Sequence, residues 1–205
     1  MAGKKISAVD IKELYYVLFG EGNEEKITSD LTGEALATLL KTANKVPNVH
    51  QDTWTIDEEE PTLTSYKNQL TEKTYRQRKE MGDVSMNFTI GQYDYETKGN
   101  LMGGTATETT WKRERGVVDI YAVMIALTED NQYCVFPKGY VVAREANTDN
   151  AVGIAVAATA MEPETEAVSS EYWFDASEVV ASEASQASMM SEESASSYSG
   201  SKSSI

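Results

Sequence analysis

Residues 117–161 consist of apolar, β-branched stretches that only turn sequences separate. The stretches cover residues 118–127, 133–136, 140–145 and 151–161, and the first of them is apolar on both alternating faces. β-Branched runs bounded by Gly, Pro, Asn and Asp predict strands. We therefore expect an antiparallel meander here. Residue types that enzymes use in catalysis are scarce within it.

A long hairpin is predicted over residues 52–91, with an outgoing strand at 52–60 and a return strand at 83–91. The return strand alternates Val84, Met86, Phe88 and Ile90 with Asp83, Ser85, Asn87 and Thr89. A period of two with one polar face is typical of a half-buried strand.

The best helical pattern lies at residues 31–46, where apolar residues recur at helical spacing. Ser29, Asp30 and Thr32 offer capping oxygens, and Pro47 is expected to end the helix. A short helical turn is expected at 93–96, and residues 14–19 fit either a helix or a strand.

These elements predict a mainly β fold, an antiparallel β-sandwich or barrel with one flanking α-helix, the long hairpin and an N-terminal arm. The expected division is an arm and loop at 1–28, a β domain at 29–161 and a flexible acidic tail at 162–205. That tail is rich in Ser and Glu, and it cannot bury enough apolar area to offset its ordering entropy. Two apolar spots, 172–174 and 179–180, are the exceptions that could dock.

Charge argues against a nucleic-acid-binding protein. The formal net charge is −15, and residues 162–205 hold nine acids and one base. A phosphate-binding surface needs clustered Lys and Arg, whereas the basic clusters at 76–79 and 112–115 are small.

The single cysteine, Cys134, excludes a disulfide within the chain. No stretch has the roughly 20 apolar residues that span a bilayer, and no signal peptide is recognised, so a soluble protein made in a cytoplasm is expected.

No residue pattern predicts catalysis, a metal or a cofactor. His50 is the only histidine and has no second ligand residue near it in sequence. The carboxylates at 57–60 are the one acidic cluster of the body, and strand pleating lets at most two of them converge. A solvated face is the default interpretation, an acid pair or divalent-metal site the other. We predict that the protein is not an enzyme.

One face of the last predicted strand carries only small side chains, from Ala151 and Gly153 to Thr159. Such a face lets another backbone or helix approach closely. Its occupant is either the helix at 31–46 or another subunit.

The order of these elements resembles the major tail (tail tube) proteins of tailed bacteriophages. The residues that carry the resemblance are 52–58 (Asp-Thr-Trp-Thr-Ile-Asp-Glu), 82–90 (Gly-Asp-Val-Ser-Met-Asn-Phe-Thr-Ile), 117–121 (Val-Val-Asp-Ile-Tyr) and 149–156 (Asp-Asn-Ala-Val-Gly-Ile-Ala-Val). The resemblance is one of pattern and order over residues 5–161, without a diagnostic motif.

The resemblance implies a structural virion protein. Members of the family form hexameric rings that stack into a tube, join other tail proteins and pass DNA through the lumen without specific binding. It also implies assembly in the cytoplasm of a bacterial host, a final location in the virion tail and no membrane. The hairpin would line the lumen with its acidic and polar side chains, which repel DNA. The candidates are Asp57, Glu58, Glu59, Glu60, Asp83, Ser85, Asn87 and Thr89.

A β-sandwich binding module on a virion or cell surface, for carbohydrate or another surface ligand, is the alternative. Tyr93, Tyr95 and Trp111 are the aromatic residues that would support it.

Overall fold

The computed structural model describes residues 8–20, 22–148 and 151–179. The described chain is mainly β, as predicted, with twelve strands, two helices of eight residues each and helical residues at 176–179. The strands are β1 (Ile11–Leu18), β2 (Asn44–Lys45), β3 (Thr55–Glu58), β4 (Thr62–Lys67), β5 (Thr74–Glu80), β6 (Val84–Ile90), β7 (Thr105–Ala106), β8 (Trp111–Lys112), β9 (Ile120–Thr128), β10 (Gln132–Thr148), β11 (Ala151–Ala160) and β12 (Tyr172–Asp175). The helices are α1 (Gly33–Leu40) and α2 (Tyr95–Met102).

The strands form one eight-stranded sheet and two separate pairs. The main sheet runs in the order β2-β1-β9-β10-β11-β6-β3, and β12 pairs with β10 beside this path. The separate pairs are β4 with β5 and β7 with β8. The chain divides into two compact units. The first takes the described parts of residues 1–45, 123–137 and 162–205, and the second takes 46–122 and the described parts of 138–161.

The core of the first unit forms around α1. Leu36 and Ala37 of the helix are buried in one cluster with Val123, Ile125 and Val135 from β9 and β10. The Thr32 side chain accepts a hydrogen bond from the Ala35 N–H at 3.2 Å, so one of the predicted caps is confirmed. This cluster contains no residue of β11.

Two predicted boundaries in the first unit are wrong. α1 ends at Leu40 rather than near Pro47, because Asn44 and Lys45 leave the helix and pair with Tyr16 and Tyr15 of β1. Residues 14–18 belong to strand β1, and Leu14 and Tyr16 are buried, so part of the expected N-terminal arm and loop belongs to the main sheet.

The prediction of a flexible tail from residue 162 onward is also wrong for its first 18 residues. Strand β12 pairs with β10 from Tyr172 opposite Val135 to Asp175 opposite Gln132. Val168 and Val179 are buried in the α1 cluster, and Tyr172 and Phe174 pack against it. Tyr172, Phe174 and Val179 therefore dock, because a few large side chains are enough to hold a polar segment. Residues 180–205 lie outside the described ranges.

The meander is confirmed, but its two predicted middle strands, 133–136 and 140–145, form a single strand, β10. The Pro-Lys-Gly sequence at 137–139 was expected to be a turn, whereas β10 continues through it for 17 residues. Pro137 lies between the residues that pair with β12, which end at Val135, and those that pair with β11, which begin at Gly139. A missing N–H is tolerated at a position where neither of these ladders needs it.

The second unit contains the predicted hairpin, with an insertion. β3 and β6 pair antiparallel from Thr55 opposite Asn87 to Glu58 opposite Val84. Met86, Phe88 and Ile90 are buried while Ser85, Asn87 and Thr89 are half-buried, so the predicted alternation of β6 is confirmed. Between the two strands, residues 62–80 fold back as the separate β4–β5 pair. The expected helical turn at 93–96 is the start of the longer helix α2.

Candidate functional site

A polar face crosses four neighbouring strands of the second unit. Register places its residues in three cross-strand rows, because directly opposite residues point to the same side of a sheet. The rows are Arg144, Ala155 and Thr89; Val142, Ala157, Asn87 and Thr55; and Tyr140, Thr159, Ser85 and Asp57. We call these eleven residues the polar face. None of them is buried, although the residues between them on β6 are.

Hydrogen bonds organise the end of the polar face that belongs to β3. The Asp57 carboxylate accepts from the Asn87 side-chain amide at 2.9 Å and from the Thr55 hydroxyl at 2.8 Å. The Asn87 amide also lies 3.3 Å from the Ser85 hydroxyl. The carboxylate therefore holds the side chains of Thr55 and Asn87, and Asn87 links them to Ser85 in one hydrogen-bonded network.

The structure separates the predicted lumen residues into two sets. Asp57 lies opposite Ser85, on the same side as Asn87 and Thr89, whereas Glu58 lies opposite Val84, on the other side. The Glu59 N–H donates to the Asp83 carbonyl at 3.0 Å, which continues the register by one pair. By the same alternation, Glu59 and Asp83 lie on the same side as Asp57, and Glu60 lies on the same side as Glu58.

The polar face carries little net charge. Asp57 is its one acid and Arg144 its one base, and the remaining nine residues are neutral. Arg144 borders a shallow depression of 220 Å³ that is floored by Ala155 and Ala157. Small side chains on the neighbouring strand create this depression. Sequence reasoning identified the β6 residues and Asp57 but missed the contribution of β10, which no local pattern connects to the hairpin.

A cluster around the buried Lys98 includes Glu145, which lies next to Arg144 on β10 and therefore points to the side of the strand opposite the polar face. Lys98 of α2 donates to the Glu145 carboxylate at 2.6 Å, and its ammonium group lies 4.3 Å from the centre of the Trp111 ring. Arg113 also approaches Glu145, at 3.5 Å. The hydrogen bond from Lys98 lowers the pKa of Glu145 below its ordinary value of 4.5. Residues 98 and 145 are 47 positions apart, so no local pattern predicts this pair.

An open cleft of about 650 Å³ lies beside α2. Asp94, Glu96 and Glu108 line it together with Tyr95 and Asn100. Asp94 caps the helix, and the hydrogen bond from the Thr97 N–H at 2.6 Å lowers the pKa of its carboxyl. Trp111 and Tyr93 contact Lys98, whereas Tyr95 is exposed at the cleft.

Neither lone residue of chemical interest has a reactive setting. Cys134 is fully buried, and burial raises the pKa of its thiol. His50 lies in the loop before β3, where its backbone N–H donates to the Thr89 carbonyl at 2.7 Å. In the described ranges, no three His, Cys, Asp or Glu side chains gather in a way that could hold a metal ion. Among the same residues, no helix is long and apolar enough to cross a membrane.

Comparison with models of known protein families and with curated proteins found no match to this chain.

Proposed function

We propose that this chain is a structural subunit that assembles with copies of itself into stacked hexameric rings. The stack is the tail tube of a tailed bacteriophage, and DNA leaves the capsid through it. The observation that carries the proposal is the polar face, which reaches the open edge of the main sheet at β3.

The edge supports assembly. In the described residues β3 pairs only with β6, so one side of its backbone has no strand partner. An unpaired strand edge is a template for pairing with another chain, and closing the sheet across subunits removes the edge. A ring in which β3 pairs with a strand of the next subunit would carry the polar face around its inner wall.

The surface chemistry supports passage of DNA. A wall made mostly of Ser, Thr, Asn and Ala side chains, with Val142 and Tyr140 among them, stays hydrated without offering the clustered Lys and Arg that hold phosphates. On the polar face each base is matched by an acid, and the chain as a whole carries −15. Long-range repulsion from an acidic assembly then favours sliding over sticking.

The experiment is negative-stain microscopy with sedimentation velocity over a range of protein concentrations. We expect rings or tubes of the intact chain. Glu58→Pro places a proline on the edge strand, a device by which natural proteins block edge pairing, and should prevent assembly. Thr109→Pro makes a proline substitution at an exposed loop residue and should assemble like the unmodified protein. A monomer at every concentration and salt would contradict the proposal.

The cleft beside α2 favours a second candidate function, binding of a carbohydrate or another surface ligand. An exposed aromatic ring with acidic and amide side chains around it is a common sugar-binding arrangement, and Tyr95 with Glu96 and Asn100 provides those groups. A monomeric protein that binds glycans, with binding lost in Tyr95→Ala, would support this function over assembly.

A further inference from the structure

The β4–β5 pair is a hairpin without a packed face. All 19 residues from 62 to 80 are exposed, on both sides of the ribbon. An isolated two-stranded hairpin is marginally stable in water, because no third element covers its side chains. Its base is narrow: at Gly82 there is no room for a Cβ against the Glu59 carbonyl. The hairpin is well paired although no other element of the described chain covers its apolar side chains, and a partner surface would account for them.

Charge distinguishes the hairpin from the rest of the molecule. Residues 62–80 contain five basic and two acidic residues, a net charge of +3 in a chain that carries −15. The remainder of the chain therefore carries −18. Electrostatic complementarity of this kind guides association and selects partners.

The two faces of the hairpin differ in what their charges contact. On one face Arg78 forms an ion pair with Glu80 at 3.1 Å, and Arg76 lies over the Tyr66 ring at 5.9 Å. On the other face Leu63 lies directly opposite Lys79, next to Ser65 and Gln77. No ion pair joins Lys79 to any residue that the structure describes. We call this second side the Leu63–Lys79 face.

Apolar side chains are exposed along the same ribbon. The exposed fraction is 62% for Leu63, 71% for Tyr75 and 94% for Leu70 at the turn. Exposed apolar side chains with charged neighbours are the composition of a protein–protein interface, an apolar centre with a polar rim.

We propose that the hairpin docks, through its Leu63–Lys79 face, on an acidic surface of a second copy of this chain. The inference rests on the self-assembly proposed above and adds an interface other than the β3 edge. DNA is the less favoured occupant, because the −18 carried by the rest of the chain repels a polyanion that approaches the hairpin.

Zero-length carbodiimide cross-linking of the full chain identifies the occupant. Equal amounts of protein with natural and heavy nitrogen isotopes are mixed before cross-linking, and mass spectrometry then separates links between copies from links within one copy. We expect Lys79 to link to Asp or Glu residues of the other isotopic form. Links confined to one copy, including links to its own residues 180–205, would overturn the proposal.

A variant tests the energetics. The double substitution Leu63→Ser with Lys79→Glu should raise the protein concentration at which half of the chains associate by about tenfold or more, the effect of losing one well-placed contact pair. Lys41→Glu, an equal charge reversal at an exposed position of the first unit, should leave it unchanged. The melting temperature of dilute double variant should equal that of the unmodified protein, because the hairpin buries no side chain.

The outcomes separate the two proposals. If the double variant forms rings at the same protein concentration as the unmodified protein, the hairpin interface is wrong and the proposed function stands. Association that depends on the hairpin but gives dimers without rings overturns the proposed function and supports the interface. Retention of a 30-base-pair DNA duplex by the unmodified protein, lost in the double variant, would show that nucleic acid is the occupant and overturn docking on a second copy.

Discussion

At the scale of single residues, the second unit depends on a buried ammonium group. Lys98 is only 8% exposed, and three groups compensate its charge: the Glu145 carboxylate and the faces of Trp111 and Tyr93. Burial of a charge without partners is strongly unfavourable, so this cluster positions α2 and β8 as much as apolar contacts do. Glu145 is the carboxylate of the cluster and is more exposed than Lys98, so a fall in pH protonates Glu145 and removes its charge.

Acid should weaken the Lys98 cluster. Because the pKa of Glu145 is lowered in the folded protein, its contribution to stability is fully present above its ordinary value of 4.5 and disappears as pH falls through the lowered pKa. Glu145→Gln should therefore melt below the unmodified protein at pH 7, and the difference should be smaller at a pH well below 4.5. Glu108→Gln, at the cleft and without an ion pair in the described ranges, is the control. A constant difference at both pH values would contradict this account.

Gly82 is a second position where one residue decides local structure. A side chain there meets the Glu59 backbone, which cannot move without opening the base of the hairpin. We expect Gly82→Ala to lower the free energy of unfolding by about 1–3 kcal/mol, the usual cost of overpacking. Gly116→Ala, where a Cβ has no neighbour within 4 Å, should change it by less than about 0.5 kcal/mol. Urea denaturation measures both, and equal effects would argue against the close contact.

At the scale of elements, β12 shows how a polar segment becomes part of a core. Its four residues pair with β10, and Tyr172 and Phe174 stack with ring centres 5.9 Å apart against the α1 cluster. The Tyr172 hydroxyl adds a hydrogen bond to Asp30 at 2.8 Å. Backbone pairing and a few large side chains together offset the ordering entropy that Ser and Glu would otherwise impose.

Truncation tests this role. A chain that ends after Met161 loses β12 and two buried valines, Val168 and Val179. Each large buried side chain contributes about 2–5 kcal/mol, and a domain of this size has only about 5–15 kcal/mol in total. We therefore expect the shortened chain to lose cooperative thermal unfolding. A chain that ends after Val179 keeps every described element and should unfold cooperatively. If the shorter chain unfolds cooperatively at the melting temperature of the unmodified protein, β12 has no structural role.

At the scale of the whole molecule, the proposed assembly depends on which carboxylates face the channel. Register assigns Asp57 to the polar face and Glu58 to the opposite side. Reversal of Asp57 places a ring of six lysines on the proposed wall. DNA carries one negative charge per roughly 1.7 Å of its axis, so such a ring adds a binding site at every repeat of the tube.

Asp57→Lys should leave tubes intact and slow the release of DNA from reconstituted particles, most strongly at low salt, where screening is weak. Glu58→Lys makes the same charge change on the other side of the strand and should release DNA at the unmodified rate. DNA release rates measured at two salt concentrations test both variants. If Asp57→Lys releases DNA normally, the polar face does not line the channel.

The sequence by itself determined the features that depend on neighbouring residues. The period of two in β6 determined which of its side chains are buried, and the capping side chains at positions 29, 30 and 32 placed the start of α1 within a few residues, because both follow from local geometry. The strands of the meander and the separation of Asp57 from Glu58 by strand pleating are local in the same sense.

Only the tertiary structure decided the features that depend on distant partners. α1 ends early because Asn44 pairs with β1, and Pro137 is accepted in β10 because the strand changes partners there. β12 folds because β10 offers backbone groups to pair with, and Lys98 of α2 is buried because Glu145 of β10 accepts a hydrogen bond from it. In each case the free energy comes from a contact between residues far apart in the chain, which no local pattern of the sequence encodes.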